Sequence, residues 1–156
     1  MIEYVRGNLL DAPVAALVNP VNTDGIMGAG LAKQFKQKFP WSYTDYHAAC
    51  NVRAVQIGKM FISDPGTPTS ACYPRLQFII HFPTKKSWRD PSRLSYIVAG
   101  LVDLVKKVRG FEIPSLAIPA LGCGLGGLQW TDVHPLIVDA FTQLPDVHIL
   151  LFPPEH

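Results

Sequence analysis

Two glycine-rich stretches and one lysine pair carry the chemistry this sequence can offer. Ala120–Trp130 reads Ala-Leu-Gly-Cys-Gly-Leu-Gly-Gly-Leu-Gln-Trp, four glycines between an apolar run and a helical pattern. Without Cβ atoms, such a turn lets an anion reach the backbone, and its N–H groups can point at phosphate oxygens beside the positive end of the next helix. Gly25-Ile-Met-Gly-Ala-Gly30 repeats the arrangement after another apolar run. Two such loops in a chain this short point to a ligand with a diphosphate. Neither loop combines Gly-x-Gly-x-x-Gly with an acid at the required distance, and neither carries Gly-Lys-Ser/Thr. Dinucleotide redox and P-loop chemistry therefore have weak support.

The lysine pair is Lys85-Lys86, with Trp88, Arg89 and Arg93 close behind. A lysine beside another cation, or partly desolvated, has a lowered pKa and can act as nucleophile or base; kept charged, it stabilises a developing anion. On charge alone, a solvated or phosphate-binding pair explains the same residues. Lys86, Trp88 and Arg89 suit a nucleobase or phosphate lying beside Lys85. A surface helix start with one packed Trp explains them equally well.

Alternating Ile2–Arg6 reads as a first strand, and Ala15–Asn19 as a central one. Leu31–Phe39 has helical spacing and stops at Pro40, and Tyr43–Cys50 is a second helix. Lys59–Ser63 and Gln77–Phe82 read as strands on either side of a polar, mobile loop, Asp64–Arg75. Ser92 begins an amphipathic helix with Leu94, Ile97, Val98, Leu101, Leu104, Val105 and Val108 on one face and Gly110 just past its end. Leu116–Pro119 is a strand, Asp132–Leu144 a helix and Val147–Phe152 the last strand. This alternation implies parallel pairing, a sheet covered on both faces and ligand loops at the strand C-terminal ends.

With 156 residues, 48% hydrophobic and 17% charged, the chain is a single globular domain spanning residues 1–156, and a net charge of +2 neither demands nor excludes nucleic acid. Lys33–Lys38 reads as the solvated face of a helix. Three widely spaced cysteines, with no Cys-x-x-Cys and no His cluster, predict reduced thiols, no metal and a cytoplasmic protein. Neither a signal peptide nor a membrane span is expected. None of His47, His81, His134 or His148 is expected in catalysis.

Arg6-Gly-Asn-Leu-Leu10, Ala16-Leu-Val-Asn-Pro-Val-Asn22, the Gly25–Gly30 loop and Pro119–Trp130 fall in the order seen in macrodomains, which bind ADP-ribose. The resemblance runs from about Ile2 to Pro153. Phe82-Pro-Thr-Lys-Lys-Ser-Trp-Arg89 resembles the branch that holds the terminal ADP-ribose protein glycohydrolase and the DarG antitoxin. It implies an α/β fold, a mixed, mostly parallel sheet between helices, with ADP-ribose in a cleft at the strand ends. It puts the catalytic lysine at Lys85. It also implies a bacterial, monomeric, metal-independent hydrolase with no cofactor, ADP-ribose being ligand and product, and ADP-ribosylated DNA or protein as partner.

On that resemblance, Asn22 hydrogen-bonds the distal ribose at the catalytic centre. Asn8, Leu9, Gly28, Gly30, Thr84, Leu121, Gly122, Cys123, Gly124, Leu125, Gly126 and Phe152 contact the ligand. Asn8 stands where many macrodomains have an Asp for the adenine amino group, so its bond should be weaker. Ala32 replaces the acid of the deacetylase-like branch. Gly126 stands where the protein-directed glycohydrolase has an Asp. Cys123 reads as a small apolar spacer rather than a reactive thiol. Phe152 serves adenine stacking or the core with equal weight.

The expected reaction is hydrolysis at ribose C1″ through an oxocarbenium-like state, releasing mono-ADP-ribose from thymidine in DNA or from an acidic side chain. With no acid at position 126, a leaving group able to carry negative charge is favoured, which an acyl carboxylate and a thymine ring nitrogen both satisfy. Gly126 together with the aromatic-basic group beside Lys85 tilts the expectation toward DNA. A non-catalytic ADP-ribose reader and an ADP-ribose 1″-phosphate phosphatase are the alternatives. With no sign of a further C-terminal domain, a free-standing enzyme is the expectation, and an antitoxin role is less secure.

Overall fold

A computed structural model describes residues 1–65 and 75–155. The sheet strands are β1 (Ile2–Tyr4), β2 (Ala16–Asn22), β3 (Phe61–Ser63), β4 (Phe78–Lys85), β5 (Ser115–Ile118) and β6 (His148–Leu151). Four helices join them: α1 (Gly30–Lys38), α2 (Pro40–Asn51), α3 (Leu94–Gly110) and α4 (Trp130–Phe141). The strands lie in the order β1-β6-β5-β2-β4-β3. Every neighbouring pair is parallel except β3–β4. The expected mixed, mostly parallel sheet between helices is what forms. Most of the Asp64–Arg75 loop, together with Cys72 and His156, lies outside the described residues.

Strand alternation divides the core between the two faces. Val18, Ile80, Phe82, Leu116, Ile118, Ile149 and Leu151 share one cluster with Ile97, Leu101, Leu104 and Val108 of α3 and Val133 and Ile137 of α4. Leu17, Ile79, Ala117 and Leu150, one residue out of step, share the other with Phe35 and Phe39. This period of two, apolar on both sides, is what a sheet covered by helices on both faces requires. Gly100 lets α3 lie close to the sheet, since a Cβ there would stand 2.3 Å from Phe82 Cζ.

Three details differ from the sequence expectation. Leu94 and Val98 are exposed, because the face of α3 that meets the sheet is narrower than the apolar stripe. Gly110 is the last residue of α3 and does not follow it. The β2–β4 pairing extends further than its apolar runs, and its register slips so that Val21 faces Pro83 while Asn22 faces Lys85. Thr84 is the extra residue of this bulge, a device common beside active sites because it re-aims the side chains that follow.

One polar group is sealed inside the sheet. Asn19 and His81 are register neighbours on β2 and β4, and both are fully buried. His81 Nε2 lies 2.9 Å from Ser63 Oγ, Nδ1 lies 3.4 Å from the Asn19 amide nitrogen, and the ring stacks on Tyr46. Burial pulls the imidazole down to about 3, so it stays neutral.

Candidate active site

The five parallel strands all end on one side, and a cleft of about 1050 Å³ opens across those ends. At its β1–β6 end it is lined by Gly7, Asn8 and Leu9 after β1 and by Phe152–Glu155 after β6. At its β2–β4 end it is lined by Asn22, Ile26, Thr84, Lys85 and Trp88. Between them lie Gly28–Ala32 of the first glycine loop and α1, and Gly122–Gly126 of the second loop. Spanned by strands ~4.8 Å apart, the cleft suits an elongated ligand.

The first loop is held by Asn22. Its amide oxygen accepts from Asp24 N (3.0 Å), Ile26 N (3.3 Å) and the Tyr46 hydroxyl (2.9 Å), and its amide nitrogen donates to Ile26 O (2.8 Å). Tyr46 also donates to the Asn22 carbonyl (2.7 Å), and burial raises its pKa, so it stays protonated and able to donate. Asn22 therefore shapes the turn with most of its hydrogen-bonding capacity, leaving one N–H for a ligand. The loop ends at Gly30, with φ +61°, and α1 starts with no side-chain cap. Its first N–H groups are left for an anion.

The second loop is built by close backbone packing. Gly122 has φ +72°, and its carbonyl accepts from Leu128 N at 2.9 Å. A Cβ on Gly126 would stand 2.3 Å from Ser92 Oγ and 2.5 Å from Gly122 O. Ser92, just before α3, also donates its N–H to Gly126 O at 3.0 Å. The loop therefore has no room for an acid at position 126. Burial pushes the Cys123 thiol up to about 11, and its sulfur faces Leu121 O at 3.5 Å, the position of a spacer rather than a nucleophile.

Lys85 reaches the cleft from the end of β4, where its Nζ donates to Trp88 O at 3.4 Å. Lys86 does not line the cleft. Its ammonium sits 5.9 Å from the Tyr96 ring centroid on α3. Trp88 is 49% exposed and lines the rim, and the Arg89 guanidinium stacks on it at 4.9 Å, just outside.

The residues expected to contact the ligand line the cleft, apart from Leu121. The Leu121 side chain is fully buried in the main core, in the turn after β5, while its neighbours Ala120 and Gly122 line the opening. Leu9 and Phe152 do both jobs, each packing in the second cluster and lining the cleft. Asn8 caps a short 3-10 turn, Leu9–Asp11, by accepting from Leu10 N at 3.1 Å, which leaves a second lone pair on its oxygen. Asp24, Tyr46 and Ser92 were not singled out from sequence; each acts through contacts far along the chain. Among the described residues no three His, Cys, Asp or Glu side chains gather as a metal site would need.

A mostly parallel sheet with two backbone-lined loops across its strand ends defines an α/β domain with a cleft at the strand ends, and a macro domain family model matches residues 18–137. The chain belongs to the macro domain family. Among individual proteins, it is 50% identical over 154 residues to a Mycobacterium tuberculosis protein named DNA ADP-ribosyl glycohydrolase, a match covering 99% of this chain and 42% of that one. It superposes on the solved macrodomain of Mycobacterium tuberculosis DarG with a TM-score of 0.93 at 50% identity, covering 99% of each chain. Thermosipho africanus DarTG, solved in complex with ADP-ribose, matches with a TM-score of 0.90 at 32% identity, over 98% of this chain and 41% of that one. The chain spans less than half the length of the curated DNA ADP-ribosyl glycohydrolases it matches.

Proposed function

We propose that this domain binds ADP-ribose along the cleft and hydrolyses the bond between ribose C1″ and a thymine ring nitrogen in ADP-ribosylated DNA. The observation that carries the reading is the placement of Lys85. It reaches the cleft opposite Asn22, at the end bounded by both glycine loops, with the exposed Trp88 on the rim beside it. The relatives named DNA ADP-ribosyl glycohydrolase, 47–50% identical to this chain, support the same substrate class.

In this account the loops and the α1 N-terminus hold the diphosphate, which fixes the distal ribose and supplies binding energy remote from the reacting carbon. Water oxygen adds to C1″ as the C1″–nitrogen bond breaks. The bonding pair leaves with the ring nitrogen, and the water proton ends on that nitrogen. Since Gly126 has no space for an acid, the leaving group departs as an anion, stabilised by the Lys85 ammonium. Trp88 and Arg89 offer a stacking face and a cation to the extruded base and its neighbouring phosphate.

The test presents thymidine-linked and glutamate-linked ADP-ribose to the purified domain in parallel. Faster release from the thymidine-linked oligonucleotide is expected. Faster release from the glutamate-linked peptide would assign the domain to protein targets. Binding of ADP-ribose with release from neither would make it a reader, and free phosphate from ADP-ribose 1″-phosphate alone would make it a phosphatase.

A further inference from the structure

The turn that carries Lys86, Ser87 and Trp88 is tied to a segment far away in the sequence. Its anchor is Asp24, which directly precedes the first glycine loop and lies more than sixty residues earlier. The Asp24 carboxylate accepts from Ser87 Oγ at 2.7 Å and from Trp88 N at 3.2 Å through the same oxygen. Beside it the Thr23 hydroxyl donates to the Lys86 carbonyl. Asp24 is itself oriented, because its N–H donates to Asn22 Oδ1 at 3.0 Å. The chain of contacts closes on the lysine, whose Nζ donates to Trp88 O at 3.4 Å.

From this linkage we infer that Asp24 is a positioning residue for Lys85 and Trp88. It ties the loop that receives the diphosphate to the turn that sets the amine and the indole. Hydrogen bonds to an ionised carboxylate are the stronger kind, and two donors on one oxygen fix the turn's direction as well as its distance. Asp24 touches no reacting atom. Its own side chain does not line the cleft, so its loss leaves the ligand contacts intact while Lys85 is freed to wander.

The inference rests on the reading of Lys85 as the group beside ribose C1″, so its test has one arm that needs no turnover. In Asp24→Ala, the Trp88 indole N–H resonance, assigned with Trp88→Phe, is expected to shift and lose order, while those of Trp41 and Trp130 stay unchanged. An unmoved Trp88 resonance overturns the linkage whether or not the domain is an enzyme. With thymidine-linked substrate, Asp24→Ala is expected to lower kcat on the order of 10- to 100-fold, the scale that small misplacement of a reacting group costs. The Kd for ADP-ribose should stay within about twofold of wild type, since uniform binding is untouched. Asp24→Asn, which still offers an oxygen to Ser87 and Trp88, should recover most of the rate. Equal slowing of both variants, or loss of affinity in step with rate, contradicts a positioning role.

Discussion

At the level of single residues, the two most telling positions are one with a side chain and one without. Lys85 was marked by the resemblance of Phe82–Arg89, since on charge alone a solvated pair explains the same residues, and the structure brings it to the cleft. Gly126 read as one of several permissive glycines. The structure gives it a stricter reason, since a Cβ would fall 2.3 Å from Ser92 Oγ and 2.5 Å from a backbone carbonyl. Ser92 can yield by rotating, but Gly122 O cannot without moving the loop. Gly126→Ala should therefore weaken ADP-ribose binding at least about tenfold and destabilise the fold by roughly 1–3 kcal/mol, the usual cost of overpacking, read by calorimetry and thermal melting. Leu121 and Asn22 mark what local sequence could not reveal. Which way a residue in the turn after a strand points, and how many of an amide's bonds the protein itself uses, depend on neighbours far along the chain.

At the level of elements, the apolar runs located the six strands and four helices of the described residues to within a few positions. Their register was not legible. The β2–β4 slip that sets Lys85 opposite Asn22 leaves no trace in hydrophobic pattern. Nor did Gly100 announce itself, although α3 can meet β4 closely only because that position has no side chain. In Gly100→Ala, the added methyl meets the Phe82 ring at 2.3 Å. The gain in helix propensity, ~1 kcal/mol, should be outweighed by ring displacement, so that the melting temperature falls. The buried Asn19–His81–Ser63 group predicts a pH effect. His81 is held down to about 3, whereas an unfolded histidine titrates at its ordinary value of 6.5. Above 6.5 both states are neutral and the group contributes no slope. As pH falls from 6.5 toward 3, the unfolded chain binds a proton that the folded chain refuses. Stability should then drop by about 1.4 kcal/mol per pH unit from this group alone. Comparing unfolding free energies of wild type and His81→Gln across that range should show a shallower slope in the variant.

Across the whole molecule, function follows from one arrangement: five parallel strands ending together, with the loops after them forming a single cleft. One end, after β1 and β6, is partly built from the core residues Leu9 and Phe152. The other, after β2 and β4, carries the amine, the exposed indole and the Asp24 tie between them. The fold class and both loops were legible because glycine between a strand and a helix has a backbone meaning that survives without tertiary information. The tie between the first loop and the turn after β4 was not, since it joins residues more than sixty positions apart. The central claim is that binding and chemistry are separable here, with the glycine loops holding ADP-ribose and Lys85 acting at C1″. It is tested most directly by measuring, in Lys85→Ala, both the Kd for ADP-ribose and its single-turnover release from thymidine-linked DNA. A Kd near that of wild type and no detectable release are expected; release at the wild-type rate would overturn the role of Lys85.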